Sequence, residues 1–204
     1  MLRKSRLGFY GLAMIVGLLT TSSAVAVEGS PTFQAHGRFG LLSTSFTVPS
    51  VVTGTYASGN TFDFSIEYLP KKSVTYLLRQ QLSFDTVTSS IRYLYTGLGS
   101  RFYKGPASRT EAAETGSTFS SLPRWRYYAS WDAGVSQMLV HSLTNVFGTT
   151  VTLVEFYVGL GTIYQVTRDF GLEIQGEYGN GFGFSNVSAS TQTTKILLGA
   201  TLFF

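Results

Sequence analysis

KILLGATLFF, residues 195–204, alternates with a period of two. Ile196, Leu198, Ala200, Leu202 and Phe204 form one uninterrupted apolar row; Lys195, Leu197, Gly199, Thr201 and Phe203 form a mixed one. Successive side chains of a strand point to opposite faces, so this stretch reads as a strand with one greasy face and one mixed face. Such a strand fits the edge of a soluble sandwich or a stave of a membrane barrel, and the stretch alone does not choose between them.

Working back from it, the same alternation recurs in segments of roughly ten residues divided by turn chemistry, the pattern of a membrane β-barrel. The segments are 33–46, 61–69, 74–84, 90–103, 124–138, 151–166, 171–179 and 191–204. In the second, Phe62, Phe64, Ile66 and Tyr68 oppose Asp63, Ser65 and Glu67; in the third, Tyr76, Leu78, Leu82 and Phe84 oppose Arg79, Gln81 and Ser83, with Gln80 out of place. The fourth sets Ile91, Tyr93 and Tyr95 against Arg92 and Thr96, and a glycine bulge at Gly97 and Gly99 is needed to keep Arg101 off the outer face. The fifth opposes Trp125, Tyr127, Ala129 and Trp131 to Arg126, Ser130 and Asp132. The sixth opposes Val154, Phe156, Val158 and Leu160 to Glu155, and the seventh opposes Leu172, Ile174 and Tyr178 to Glu173, Gln175 and Glu177. The expected fold is therefore all-β: an eight-stranded antiparallel up-and-down transmembrane barrel, with ten strands as the alternative. Residues 104–123 are the least strand-like, and Arg109 to Glu114 reads as a short helix or a mobile stretch. The stretches Thr47–Asn60, His141–Thr150 and Asn180–Ser190 read as polar loops.

The other end of the chain supplies the compartment. Arg3, Lys4 and Arg6 precede an apolar run from Leu7 to Leu19, and Ala24-Val25-Ala26 follows as a small-x-small site. This is the pattern of a cleaved Sec-type secretory signal peptide over residues 1–26, leaving 27–204 as one barrel domain. No later stretch approaches the length of an apolar membrane-spanning helix. Removing the three basic signal residues from 15 Lys+Arg leaves 12 against 11 acids, so the formal +4 of the whole chain gives no case for nucleic-acid binding. There is no cysteine and hence no disulfide framework.

EFYVGLGTIYQVTRDFGLEIQGEYGNG, residues 155–181, resembles the glycine-rich strand, short turn and acidic strand of small OmpA-like, OmpX-like or OmpW-like bacterial outer-membrane barrels. A closing aromatic such as Phe204 resembles the assembly signal of those proteins. The resemblance implies that Phe204, Leu202, Ala200 and Leu198 are read by the barrel-assembly machinery. It also implies a bacterial outer-membrane location and contact with outer-membrane lipid and lipopolysaccharide. A monomer without a cofactor is the expectation.

An eight-stranded barrel is narrow enough for side chains to fill, and a charge confined there is costly unless paired. The polar rows carry opposite charges in near balance: Arg38, Arg79, Arg92, Arg126 and Lys195 against Asp63, Glu67, Asp132, Glu155, Glu173 and Glu177. These residues are the expected lumen network, with Glu155, Glu173 or Glu177 near Arg126 or Lys195. The function that follows is a structural or surface-interaction role without catalysis. One alternative is a passive conduit for small or hydrophobic solutes, which would want an uncharged open wall. Another is a lipid A-modifying enzyme, for which His141-Ser142 is the only hint, with no acidic partner in view. His36 and His141 show no metal-ligand spacing. Gly159-x-Gly161 opens no helix and so is no nucleotide loop; glycines there relieve crowding on the inner wall.

Overall fold

The computed structural model describes residues 33–48, 52–69, 74–85, 91–104, 109–112, 118–121, 124–140, 149–167, 169–183 and 189–204. The side chains of 46–48, 52–58, 85, 91–92, 109–112, 118–121, 139–140 and 149 lie outside that description, as do the proposed signal peptide and His141-Ser142.

Ten strands form. β1 (Phe33–Val48), β2 (Val52–Tyr68), β3 (Val74–Asp85) and β4 (Ile91–Tyr103) run up and down in sequence. β5 (Arg109–Ala112) and β6 (Thr118–Ser121) make a separate two-stranded sheet. β7 (Trp125–Val140), β8 (Thr149–Gln165), β9 (Phe170–Gly183) and β10 (Ser190–Phe203) complete the walls. The order β1-β2-β3-β4-β7-β8-β9-β10 closes on itself, with every pair antiparallel. The barrel thus has eight staves, and the two extra strands lie outside it. The seam pairs Phe39 with Leu198 and Gly37 with Ala200, and it ends where Phe204 and Phe33 exchange backbone hydrogen bonds of 2.9 and 3.3 Å. Closure leaves no unpaired sheet edge, which is the condition for strands to sit in hydrocarbon. The end bearing Phe33 and Phe204 is called proximal below, and the opposite end distal.

The apolar rows face out. Leu160 is 71% exposed, Leu98 65% and Ile196 60%, far above what a soluble core residue shows. Aromatics gather at the proximal rim, where Phe33 packs on Tyr68 (ring centroids 5.3 Å apart) and Trp125 on Tyr164 (4.7 Å). Higher on the wall Phe39, Phe62 and Phe84 meet in a row, the first pair tilted at 5.1 Å and the second edge-on at 6.4 Å. A contiguous apolar wall of this extent is a surface for lipid rather than water. Gln80 faces out between Leu78 and Leu82, opposite Thr96, as a polar spot within that wall.

Four expectations need correction. First, β4 is inverted. Tyr93, Tyr95, Arg101 and Tyr103 face the lumen, and Leu94, Thr96, Leu98 and Phe102 face out. The register of β4 with β3 and β7 runs without a shift, so there is no bulge at Gly97 or Gly99. Arg92, expected in the lumen network, has its side chain outside the described residues. Second, Thr47–Asn60 is mostly strand. Its Ser58-Gly59 stretch is a β-bulge, seen as the register shift beside Leu42 and Ser43, because residues that suit a turn also suit the extra residue of a bulge. Third, Arg109–Ala112 is a strand paired with Thr118–Ser121, not a helix. Fourth, Asn180–Gly183 continues β9.

Candidate functional site

Period-two alternation sends one row of every stave inward, and the lumen is where those rows meet. At its centre stands Arg79 of β3. It donates to Asp63 of β2, to Asp132 of β7 (2.9 Å), and through both terminal nitrogens to the two oxygens of Glu177 of β9 (2.6 and 2.7 Å). One planar guanidinium, with five donors in a fixed fork, thus ties its own stave to three others. Arg38 shares Asp63 from the other side (Nε to Oδ1, 2.8 Å) and reaches Glu173 (3.1 Å) and Ser65 (2.8 Å). Lys195 sits 3.4 Å from Glu177, donates to Gln81 (2.6 Å), and lies 3.4 Å over the Tyr157 ring.

Toward the proximal end, His36 is wedged between two carboxylates: Nδ1 is 2.7 Å from Glu173 and Nε2 is 2.8 Å from Glu67. Arg101 joins the same two acids, at 2.8 Å to Glu173 and 3.3 Å to Glu67, and lies 4.2 Å over the Tyr128 ring. Tyr103 donates to Glu67 (2.9 Å) and Tyr128 to Glu173. Toward the distal end Glu155 is held by hydroxyls: Tyr93, Tyr157 (3.3 Å) and Thr191 (2.9 Å). Tyr95 donates to Asp132 and meets Tyr157 edge-on at 5.2 Å.

Apolar clusters stand at both ends of this column. Leu69, Tyr103, Tyr128, Ile163 and Phe203 form the proximal one; Tyr93, Tyr95, Met138, Val151, Leu153, Tyr157 and Ala189 form the distal one. The long tyrosines fit because glycines face them. A Cβ on Gly97 would meet the Tyr95 ring, one on Gly161 the Tyr128 ring, and one on Gly179 the Tyr157 ring.

The structure therefore gathers Arg38, Asp63, Glu67, Arg79, Asp132, Glu173, Glu177 and Lys195 into one continuous web through Arg101 and His36. Glu155 stands apart, bonded to hydroxyls. Arg126 also stands apart. It is buried at the proximal end, donates to Gln34 (3.0 Å), and lies 4.1 Å over the Tyr103 ring, with no carboxylate beside it among the described residues. The side chain of Arg92 lies outside the description. Sequence reasoning missed Arg101 and the inward tyrosines. Arg101 was itself the signal, since a charged residue on a long apolar wall fixes the parity of its strand. Among the described residues no group of His, Asp and Glu is arranged to hold a metal ion. Every charged group in the web faces an opposite charge, an arrangement that cross-links the walls.

The closed barrel and its filled lumen define an eight-stranded β-barrel of the outer-membrane type. By sequence, no family model and no curated protein matches the chain. By structure it is similar to Neisserial surface protein A, with a TM-score of 0.58 and 13% identity over 87% of this chain and 100% of that one. It is also similar to the N-terminal β-barrel domain of Pseudomonas aeruginosa OprF, with a TM-score of 0.50 and 14% identity over 86% and 100%. At such identities the likeness carries the barrel architecture alone.

Proposed function

We propose that this chain is an integral protein of the bacterial outer membrane with a structural or surface-contact role, and that its lumen is a plug rather than a path. The observation that carries the reading is the column of paired charges centred on Arg79, buried between two apolar clusters. A conduit needs a continuous wet route, and here the charges that would line one are used up on each other. The exposed apolar wall and the likeness to two outer-membrane barrels support the location. Lipid and lipopolysaccharide are then the partners of the wall, and the distal connections are the parts offered to the outside. Fractionation of cells expressing the chain tests the location: outer-membrane recovery and a gel mobility that changes only on boiling are expected, and recovery as a soluble periplasmic protein would contradict it.

The barrel-assembly machinery belongs to the same proposal, with Phe204, Leu202, Ala200 and Leu198 on the outward row of β10 as the recognised residues. Full burial of a Phe contributes about 1.5–3 kcal/mol, which would weaken a barrel without preventing its insertion. Phe204→Asp is therefore expected to remove the protein from the outer membrane, whereas Phe203→Ser, inside the proximal cluster, leaves most of it there. Equal outer-membrane levels at matched expression would remove recognition from the account.

A further inference from the structure

Arg126 is the exception among the buried arginines of the lumen. Arg38, Arg79 and Arg101 each contact at least two carboxylates. Arg126 is 2% exposed, yet among the described residues its one hydrogen bond runs from Nη1 to the amide oxygen of Gln34. Its Nε and Nη2 have no partner, and neither does the Gln34 amide nitrogen. Nε and Nη2 are not arbitrary atoms: their N–H bonds lie side by side along one edge of the guanidinium, the fork that takes both oxygens of a carboxylate or two oxygens of a phosphate. The fork and the Gln34 amide belong to two side chains already joined to each other. The guanidinium lies 4.1 Å from the Tyr103 ring and 5.8 Å from the Phe203 ring, with no carboxylate beside it among the described residues. A buried guanidinium with no counter-charge is costly, and aromatic faces offset only part of that.

We infer that the proximal end of the lumen holds a binding site for a single oxyanion group, a carboxylate or a phosphate, taken bidentately by the Nε–Nη2 edge of Arg126 and capped by the Gln34 amide. The burial of the site limits the ligand to one small group. The site is separate from the Arg79 web, whose acids and bases are already matched, so it works whether or not the lumen is closed further along.

The test uses the folded full barrel, labelled with 15N, in detergent micelles. Inorganic phosphate and acetate are titrated in at constant ionic strength against chloride, and the side-chain Nε–H resonances of the arginines are followed. The Arg126 resonance, identified by its loss in Arg126→Lys, is expected to shift and saturate with phosphate or acetate while those of Arg38, Arg79 and Arg101 stay in place. In parallel, the midpoint of thermal unfolding is expected to rise with added phosphate in the wild type and to stay fixed in Arg126→Met. Gln34→Leu keeps the fork and loses the cap, so its response should weaken at least several-fold without vanishing. An Arg126 resonance that does not move overturns the proposal, as does one that drifts linearly together with the other arginines. A response to phosphate but not acetate, or the reverse, assigns the class of the group. Should Arg126→Met fail to fold, the wild-type titration decides alone.

Discussion

Arg79 and Arg126 are buried to the same degree in the same lumen, 1% and 2% exposed, and are held in opposite ways. Arg79 is neutralised by Asp63, Asp132 and Glu177 on three other staves. Arg126 has an amide oxygen and two aromatic faces. The difference follows from where each strand sets its acids. Asp63, Asp132 and Glu177 converge on Arg79 at mid-barrel, whereas Arg126 lies beside the proximal cluster, against the rings of Tyr103 and Phe203. A charge in the middle is a cross-link between walls; a charge at the end is a hook. Removing the first strands three carboxylates; removing the second leaves one amide oxygen, that of Gln34, without its donor.

The widest separation should come from methionine at the two positions. Arg79→Met leaves three carboxylates facing one another with Lys195 and Arg38 alone to answer them. Breaking a buried pair costs about 3–5 kcal/mol, and several pairs share this arginine, so loss at the upper end of that range is expected in urea unfolding of the refolded barrel. Glu177→Gln sharpens the same side. It keeps the shape and one acceptor but removes the charge that Arg79 and Lys195 share, with an expected loss of about 1.5–3 kcal/mol, the range for hydrogen bonds to charged groups. Arg126→Met should change stability least, by within about 1 kcal/mol in buffer free of phosphate and carboxylates, because it removes a buried charge that faces no carboxylate among the described residues and breaks only one hydrogen bond. Equal losses for Arg79→Met and Arg126→Met would erase the distinction between cross-link and hook.

How far these roles could be read in advance depended on the side chain. Strands such as β2 and β10 place Phe, Leu and Ile on one row and Asp, Glu, Ser or Lys on the other, so burial preference and charge agree and the facing is legible. In β4 the informative residues were tyrosines, whose apolar ring suits a membrane rim and whose hydroxyl suits a lumen. Tyr93, Tyr95 and Tyr103 take the second option because Glu155, Asp132 and Glu67 stand ready as acceptors on other staves, a fact of topology that β4 itself does not carry. Arg101 points the right way, but in the sequence a bulge at Gly97 and Gly99 accommodates it equally well. Gly97 is instead the hollow into which Tyr95 folds. At Arg126 its row was legible and its partner was not, since finding the nearest acid requires the stagger of neighbouring staves. Lys195 and Glu177 stand directly across β10 and β9 and do meet, at 3.4 Å.

The account stands on the lumen being a filled core, and the conductance of single barrels measures that most directly. Purified, refolded protein inserted into a planar bilayer at moderate salt is expected to give no stable open level under steady voltage, because on the proposed reading the Arg79 web and the two apolar clusters plug the lumen. A persistent, ohmic, porin-like current from the wild-type protein would contradict the account.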